Sequence, residues 1–168
     1  MRALGVLVAV LSVAAFGARA EEAVSDCANH KWSVEREAAL LAHPQEEAGA
    51  GAEWRAEEDG AFLLKLQPLD KVVFEAPPER APSEPASSYG SVVRLVGLDS
   101  GVYEISLSEA AWIDVIQNGA FAKSEDHSSG PGCAIRKAVR FRLEAGEAVL
   151  QLSGAASPSI GVVVMRVG

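Results

Sequence analysis

Lys137 to Ser153, KAVRFRLEAGEAVLQLS, decides what kind of protein this is. Val139, Phe141 and Leu143 alternate with Arg140 and Arg142. Beyond Glu144-Ala145-Gly146-Glu147, Ala148, Leu150 and Leu152 alternate with Val149 and Gln151. A period of two is the signature of strands with one buried face. The spacing predicts a hairpin with a four-residue loop, in which Leu143 opposes Ala148, Phe141 opposes Leu150 and Val139 opposes Leu152. A slip of one residue would carry charge into the core, so this register is tightly specified.

The same period extends to both sides. SVVRLV (91–96), GVYEISLS (101–108) and WIDVIQ (112–117) read as strands, the last joined to AFAK (120–123) by Asn118-Gly119, a strong two-residue hairpin signal. SIGVVVMRV (159–167) is apolar on both faces and reads as a central strand. FLLKLQPLDKVVFE (62–75) opens the β region, with Pro68 to Lys71 as a turn. APPERAPSEPASSYG (76–90) holds Pro77, Pro78, Pro82 and Pro85 and no apolar run, so it reads as an extended, solvated loop. Ser33 to Ala42 reads as one short helix, capped by Ser33 and stopped by Pro44, with Val34, Ala38 and Leu41 on its inner face. Glu46 to Asp59 reads as an irregular acidic connection. With roughly eight or nine strands and one helix, the pattern predicts a mainly β chain, an antiparallel β-sandwich of jelly-roll type with one short N-terminal helix.

MRALGVLVAVLSVAAFGARA (1–20) combines Arg2, an apolar run from Leu4 to Phe16 and Ala18-Arg19-Ala20, the pattern of a signal peptide cleaved after Ala20. Residues 21–168 then form a single domain, with no membrane span and a periplasmic or secreted destination. Arg2 and Arg19 leave with the leader, so 13 of the 15 basic residues face all 23 acidic ones, a net charge of −10. That balance argues against nucleic acid as a partner. Two cysteines in an exported chain, Cys27 and Cys133, favour a disulfide closing a loop of roughly 100 residues.

Few residues invite chemistry. His30, His43 and His127 show no metal-binding spacing, and both His30 and His43 flank the helix; all three read as solvated loop histidines. No nucleophile elbow accompanies Ser128-Ser129, so neither a catalytic residue nor a cofactor is assigned. Arg136, Arg140 and Arg142 share a strand face, suited to a carboxylate or sulfate ligand or to pairing with glutamates such as Glu104. Trp112 and Asp114 share a side of their strand, the equipment for stacking a sugar, although Asp114 falls opposite Lys123 in the hairpin and could pair with it. Asp126 to Gly132 reads as a flexible polar loop anchored by Cys133. An envelope protein or a glycan is the expected partner.

CANHKWSVERE (27–37), ERAP (79–82), GVYEISLSEAAWIDVIQNG (101–119) and CAIRKAVRFRL (133–143) followed by AVLQLSGA (148–155) carry a resemblance. Together they resemble a family of small exported proteobacterial proteins, some of them named homogentisate 1,2-dioxygenase, over nearly all of residues 21–168. The match falls on Cys27, Trp32, Cys133, Ile135, Arg136 and Lys137, which the resemblance implies are scaffold. The C-terminal half is loosely similar to the bacterial pre-peptidase C-terminal domain, a β-sandwich. The dioxygenase name implies iron-dependent ring cleavage, with iron held by two histidines and a glutamate. That ligand pattern has no counterpart among the motifs here, so no catalytic residue is carried over.

Overall fold

A computed structural model of the chain describes residues 27–43, 45–56 and 60–168. The expected leader and Pro44 lie outside them. Two sheets face each other across one core. The first runs in the order β1 (Glu46–Ala48), β3 (Gly60–Lys65), β12 (Ser159–Arg166), β6 (Gly101–Leu107), β10 (Lys137–Leu143), β9 (Ser124–Ser129). The second runs β2 (Glu53–Arg55), β5 (Tyr89–Leu98), β11 (Gly146–Ala155), β7 (Trp112–Gln117), β8 (Ala120–Phe121), with β4 (Gln67–Pro68) also beside β5. With β1, β2, β4 and β9 set aside, the orders 3-12-6-10 and 5-11-7-8 are those of a jelly roll.

The opening stretch keeps its faces but not its predicted pairing. Val139, Phe141 and Leu143 share one core with Ala148, Leu150 and Leu152. Yet β10 pairs with β6 and β9, whereas β11 pairs with β5 and β7. The chain arches from one sheet to the other between Leu143 and Gly146, so these residues meet across the core rather than side by side. Side-chain parity reports which face is buried and says nothing about which strand lies alongside.

Other expectations need amendment. The sheets are mixed, because β1 runs parallel to β3 and β2 parallel to β5. Both short strands come from the acidic segment expected to be irregular. Val72 to Glu75 forms no strand. The polar stretch expected as a flexible loop is in large part β9, an edge strand exposed everywhere except at Ser128. Its charged and hydroxyl side chains suit a sheet margin that must not recruit another strand. Asn118-Gly119 does form the expected turn: both residues have positive φ, 54° and 75°, and Ile116 and Gln117 pair with Phe121 and Ala120.

The outer face of the first sheet is roofed. The helix α1 (Glu35–Leu41) lies over β12 and β3. Val34, Ala38 and Leu41, the face expected to point inward, cluster with Cys27, Trp32, Cys133, Ile135 and Ala138. This roof is why β12 is apolar on both sides, with Val163 and Met165 buried beneath it. Gly161 admits it: a Cβ there would come within 2.9 Å of Leu41 Cδ2. Cys27 and Cys133 are bonded, with Cα atoms 4.8 Å apart and a sequence separation of 106. On chain-entropy grounds a closure of that length stabilises by about 4–5 kcal/mol.

His30 is buried under the same roof, contrary to its reading as a solvated histidine. A carbonyl only accepts, so its Nε2 donates to Ile135 O at 3.0 Å. Its Nδ1 lies 3.1 Å from Ser128 Oγ, which also accepts the Lys31 amide. Beside it, Arg140 bonds Glu104 Oε2 at 2.8 Å, and its guanidinium carbon stands 4.0 Å from the centre of the Trp32 ring. Glu104 is 1% exposed. Removing one member of such a pair typically costs about 3–5 kcal/mol.

Glu37 on α1 adds a second buried carboxyl. Burial, reinforced by the neighbouring Glu104 carboxylate, pushes its pKa up from 4.5 to about 7. The unfolded chain loses this proton near 4.5 while the folded one keeps it, so the contribution is full below 4.5 and lost as pH rises through about 7. Denaturant melts should therefore show stability falling across that window. Glu37→Gln, whose amide can still donate to Glu104, should flatten the fall and be more stable than the parent above it. An unchanged pH profile in the variant would rule out Glu37 as its source.

Candidate functional site

The proline-rich segment is more than a solvated loop. It lies on the outer face of the second sheet, pinned by two polar side chains from interior strands. Gln151 on β11 accepts the Glu75 and Ala76 amides at 2.6 and 3.2 Å and donates to Ala76 O at 3.0 Å. Asp114 on β7, its cross-strand neighbour, accepts the Glu79 amide at 3.2 Å and Trp112 Nε1 at 2.7 Å. Both side chains are buried, at 1% and 2% exposure. A proline-rich strap cannot satisfy its own backbone with a ladder, and these two residues do it instead.

Between the strap, the turn before β7, the loop before β10 and the end of β11 runs a groove of about 800 Å³. Its lining includes Arg80, Glu84, Arg136 and Lys137, together with Trp112, His127 and Ser153. Lys137 has core parity but sits at the end of the sandwich. It reaches across to donate to Ala111 O at 2.8 Å and lies 4.8 Å from the centre of the Trp112 ring. The guanidinium carbon of Arg80 is 5.5 Å from the same centre. Arg136 donates to Gly130 O at 3.0 Å. The indole, fixed by Asp114, is a support for two cations.

Electrostatics agree with that crowding. Burial holds Lys137 below its ordinary pKa, with Arg80 adding repulsion and Asp114 opposing both. Burial lifts the Asp114 carboxyl, against hydrogen bonds from Trp112 and Glu79. Elsewhere, seven basic side chains are ion-paired: Lys31 with Asp126, Lys65 with Glu47, Lys71 with Asp70, Arg94 with Glu147, Arg140 with Glu104, Arg142 with Glu125 and Arg166 with Asp99, whereas the exposed Lys123 forms no ion pair among the described residues. Among the described residues, no carboxylate forms an ion pair with Arg80, Arg136 or Lys137.

Of the five residues the sequence offers as ligand contacts, the groove unites Trp112 and Arg136. Asp114 is beneath them, buried rather than exposed and bonded to Trp112 rather than to Lys123. Arg140 and Arg142 belong to the outer face of the first sheet, where the anticipated pairing with glutamates holds them. Arg80 escaped notice because nothing local marks a strap arginine as convergent with Lys137.

An iron centre of the kind the dioxygenase name implies does not fit these residues. Both ring nitrogens of His30 are engaged within the protein, His43 is exposed just beyond α1, and His127 lies on edge strand β9. Among the described residues, no three His, Cys, Asp or Glu are grouped to hold a metal. Comparison with protein-family models, curated proteins and solved structures finds no match.

The pinning of the strap has a direct test. Gln151→Ala removes three hydrogen bonds and should cost about 2–3 kcal/mol at roughly 1 kcal/mol each. It should also speed proteolytic cleavage between residues 76 and 88 of otherwise folded protein. Cleavage at the parental rate would show that other contacts hold the strap.

Proposed function

We propose that this is an exported, non-catalytic binding protein of the cell envelope whose groove captures a negatively charged ligand. The carrying observation is the distribution of unpaired cations. A domain with a net charge of −10 has acidic groups to spare, and its other ion pairs show that it uses them. Leaving Arg80, Arg136 and Lys137 without carboxylate partners in one groove, two of them over the Trp112 ring, sets aside a site for anionic groups from outside. Carboxylate, sulfate and phosphate share that chemistry. A volume of about 800 Å³ suits a group carried on a larger molecule rather than a lone ion.

Export is supported by the leader-like residues 1–20 and by the Cys27–Cys133 bond, which persists in oxidising compartments. Among the described residues no helix is long and apolar enough to cross a membrane. A neutral sugar stacked on Trp112 is less well supported, since two cations already stand over the ring and Asp114 is buried.

The test sets equal charge changes in different places against each other. Arg80→Gln/Arg136→Gln/Lys137→Gln should lose retention on immobilised dextran sulfate at moderate salt. Lys65→Gln/Lys71→Gln/Arg94→Gln, equally altered in net charge, should be retained like the parent. Equal loss in both variants would reduce binding to a general charge effect and sink the site.

A further inference from the structure

The wall of the groove that carries Gly130, Pro131, Arg136 and Lys137 is also the segment that carries Cys133. Building on the anion-binding reading above, we propose that formation of the Cys27–Cys133 bond switches the groove into its binding form, so that ligand capture depends on oxidation.

The geometry gives the connection in short steps. Cys133 is joined to Cys27, which fixes the turn from Cys27 to His30 against the wall. Gly130 lies on that turn so closely that a Cβ would meet Asn29 Cβ at 3.3 Å and His30 Nε2 at 3.5 Å. His30 Nε2 holds Ile135 O from beneath, and Ser128 ties His30 and the Lys31 amide to β9. Gly130 O in turn receives the Arg136 guanidinium. Arg136 is therefore aimed by a carbonyl whose position is set by the N-terminal segment. Its backbone needs no such help, because its amide bonds Leu107 O at 2.8 Å. Lys137 is held by strand pairing and by Ala111 O. Loss of the bond thus misdirects one groove cation and loosens one wall, while the sandwich stays paired.

The chemistry is thiol–disulfide exchange with a disulfide-bearing oxidant. The Cys27 and Cys133 thiols lose two protons and two electrons as their S–S bond forms, and the oxidant's S–S bond is cleaved to two thiols. Before export, in a reducing compartment, the groove is unformed; outside it becomes competent.

Affinity for fluorescein-labelled dextran sulfate is measured by anisotropy on oxidised protein, on protein reduced with a phosphine, and on reduced protein reoxidised with oxidised glutathione. Far-UV circular dichroism follows the fold throughout. The expected result is at least a tenfold loss on reduction, with the β spectrum retained and affinity restored by reoxidation. In Arg136→Gln, where the guanidinium is already absent, reduction should cost about threefold or less. Unfolding on reduction overturns the proposal, which needs the sandwich to stay paired; as a separate check of the wall, His30→Ala with the disulfide intact should bind several-fold more weakly than His30→Gln, whose amide can still donate to Ile135 O. Affinity indifferent to reduction in folded protein overturns the proposal, as does an equal loss in Arg136→Gln or equal binding by the two His30 variants. If the oxidised parent itself fails to bind the probe, the anion-binding reading falls instead.

Discussion

Covalent closure of residue 27 onto residue 133 is the constraint on which the roof and one wall of the groove depend. The outer face of the first sheet carries Glu104, Ser106 and Arg140 beside Ala138, Val163 and Met165, a mixed surface that the roof covers. A short helix supplies little affinity of its own. With the chain tied down beside it, α1 and Trp32 become a roof, Arg140 lies between an indole and a carboxylate, and Glu37 is buried. The same tie shapes the loop that leads into β10 and hence one side of the groove.

Much of the architecture was legible because alternation is a local signal. β10 buries Val139, Phe141 and Leu143 at every second position and ends at the last of them, and the Asn118-Gly119 turn is dictated by two residues that tolerate positive φ. Neighbourhood was not legible. Leu143 and Ala148 would bury the same faces in a hairpin or in an arch between sheets, and only the competition among all the strands decides between the two. β9 was missed because an edge strand facing water needs no apolar residue. His30 was missed because its partners lie 98 and 105 residues away.

The groove shows the same division. Trp112, Asp114 and Arg136 stand out in the sequence, but their roles follow from company. Asp114 is a brace, not a contact. The arginines that looked alike on one strand separate into two that are neutralised and one that is not. In an acidic protein a positive stripe means little; what matters is which cations the fold declines to pair, and that appears only when each carboxylate has been located.

The strap between Ala76 and Ser88 has a consequence for how this molecule can diverge. Its path is specified from beneath, by an amide and a carboxylate on two interior strands, through contacts made to main-chain atoms that every residue type but proline possesses. The side chains of Glu75, Ala76 and Glu79 take no part in those bonds and are free to drift, so long as the two anchors and the backbone N–H groups stay. A lineage could therefore rewrite one rim of the cleft, and with it what the cleft recognises, without disturbing the sandwich below.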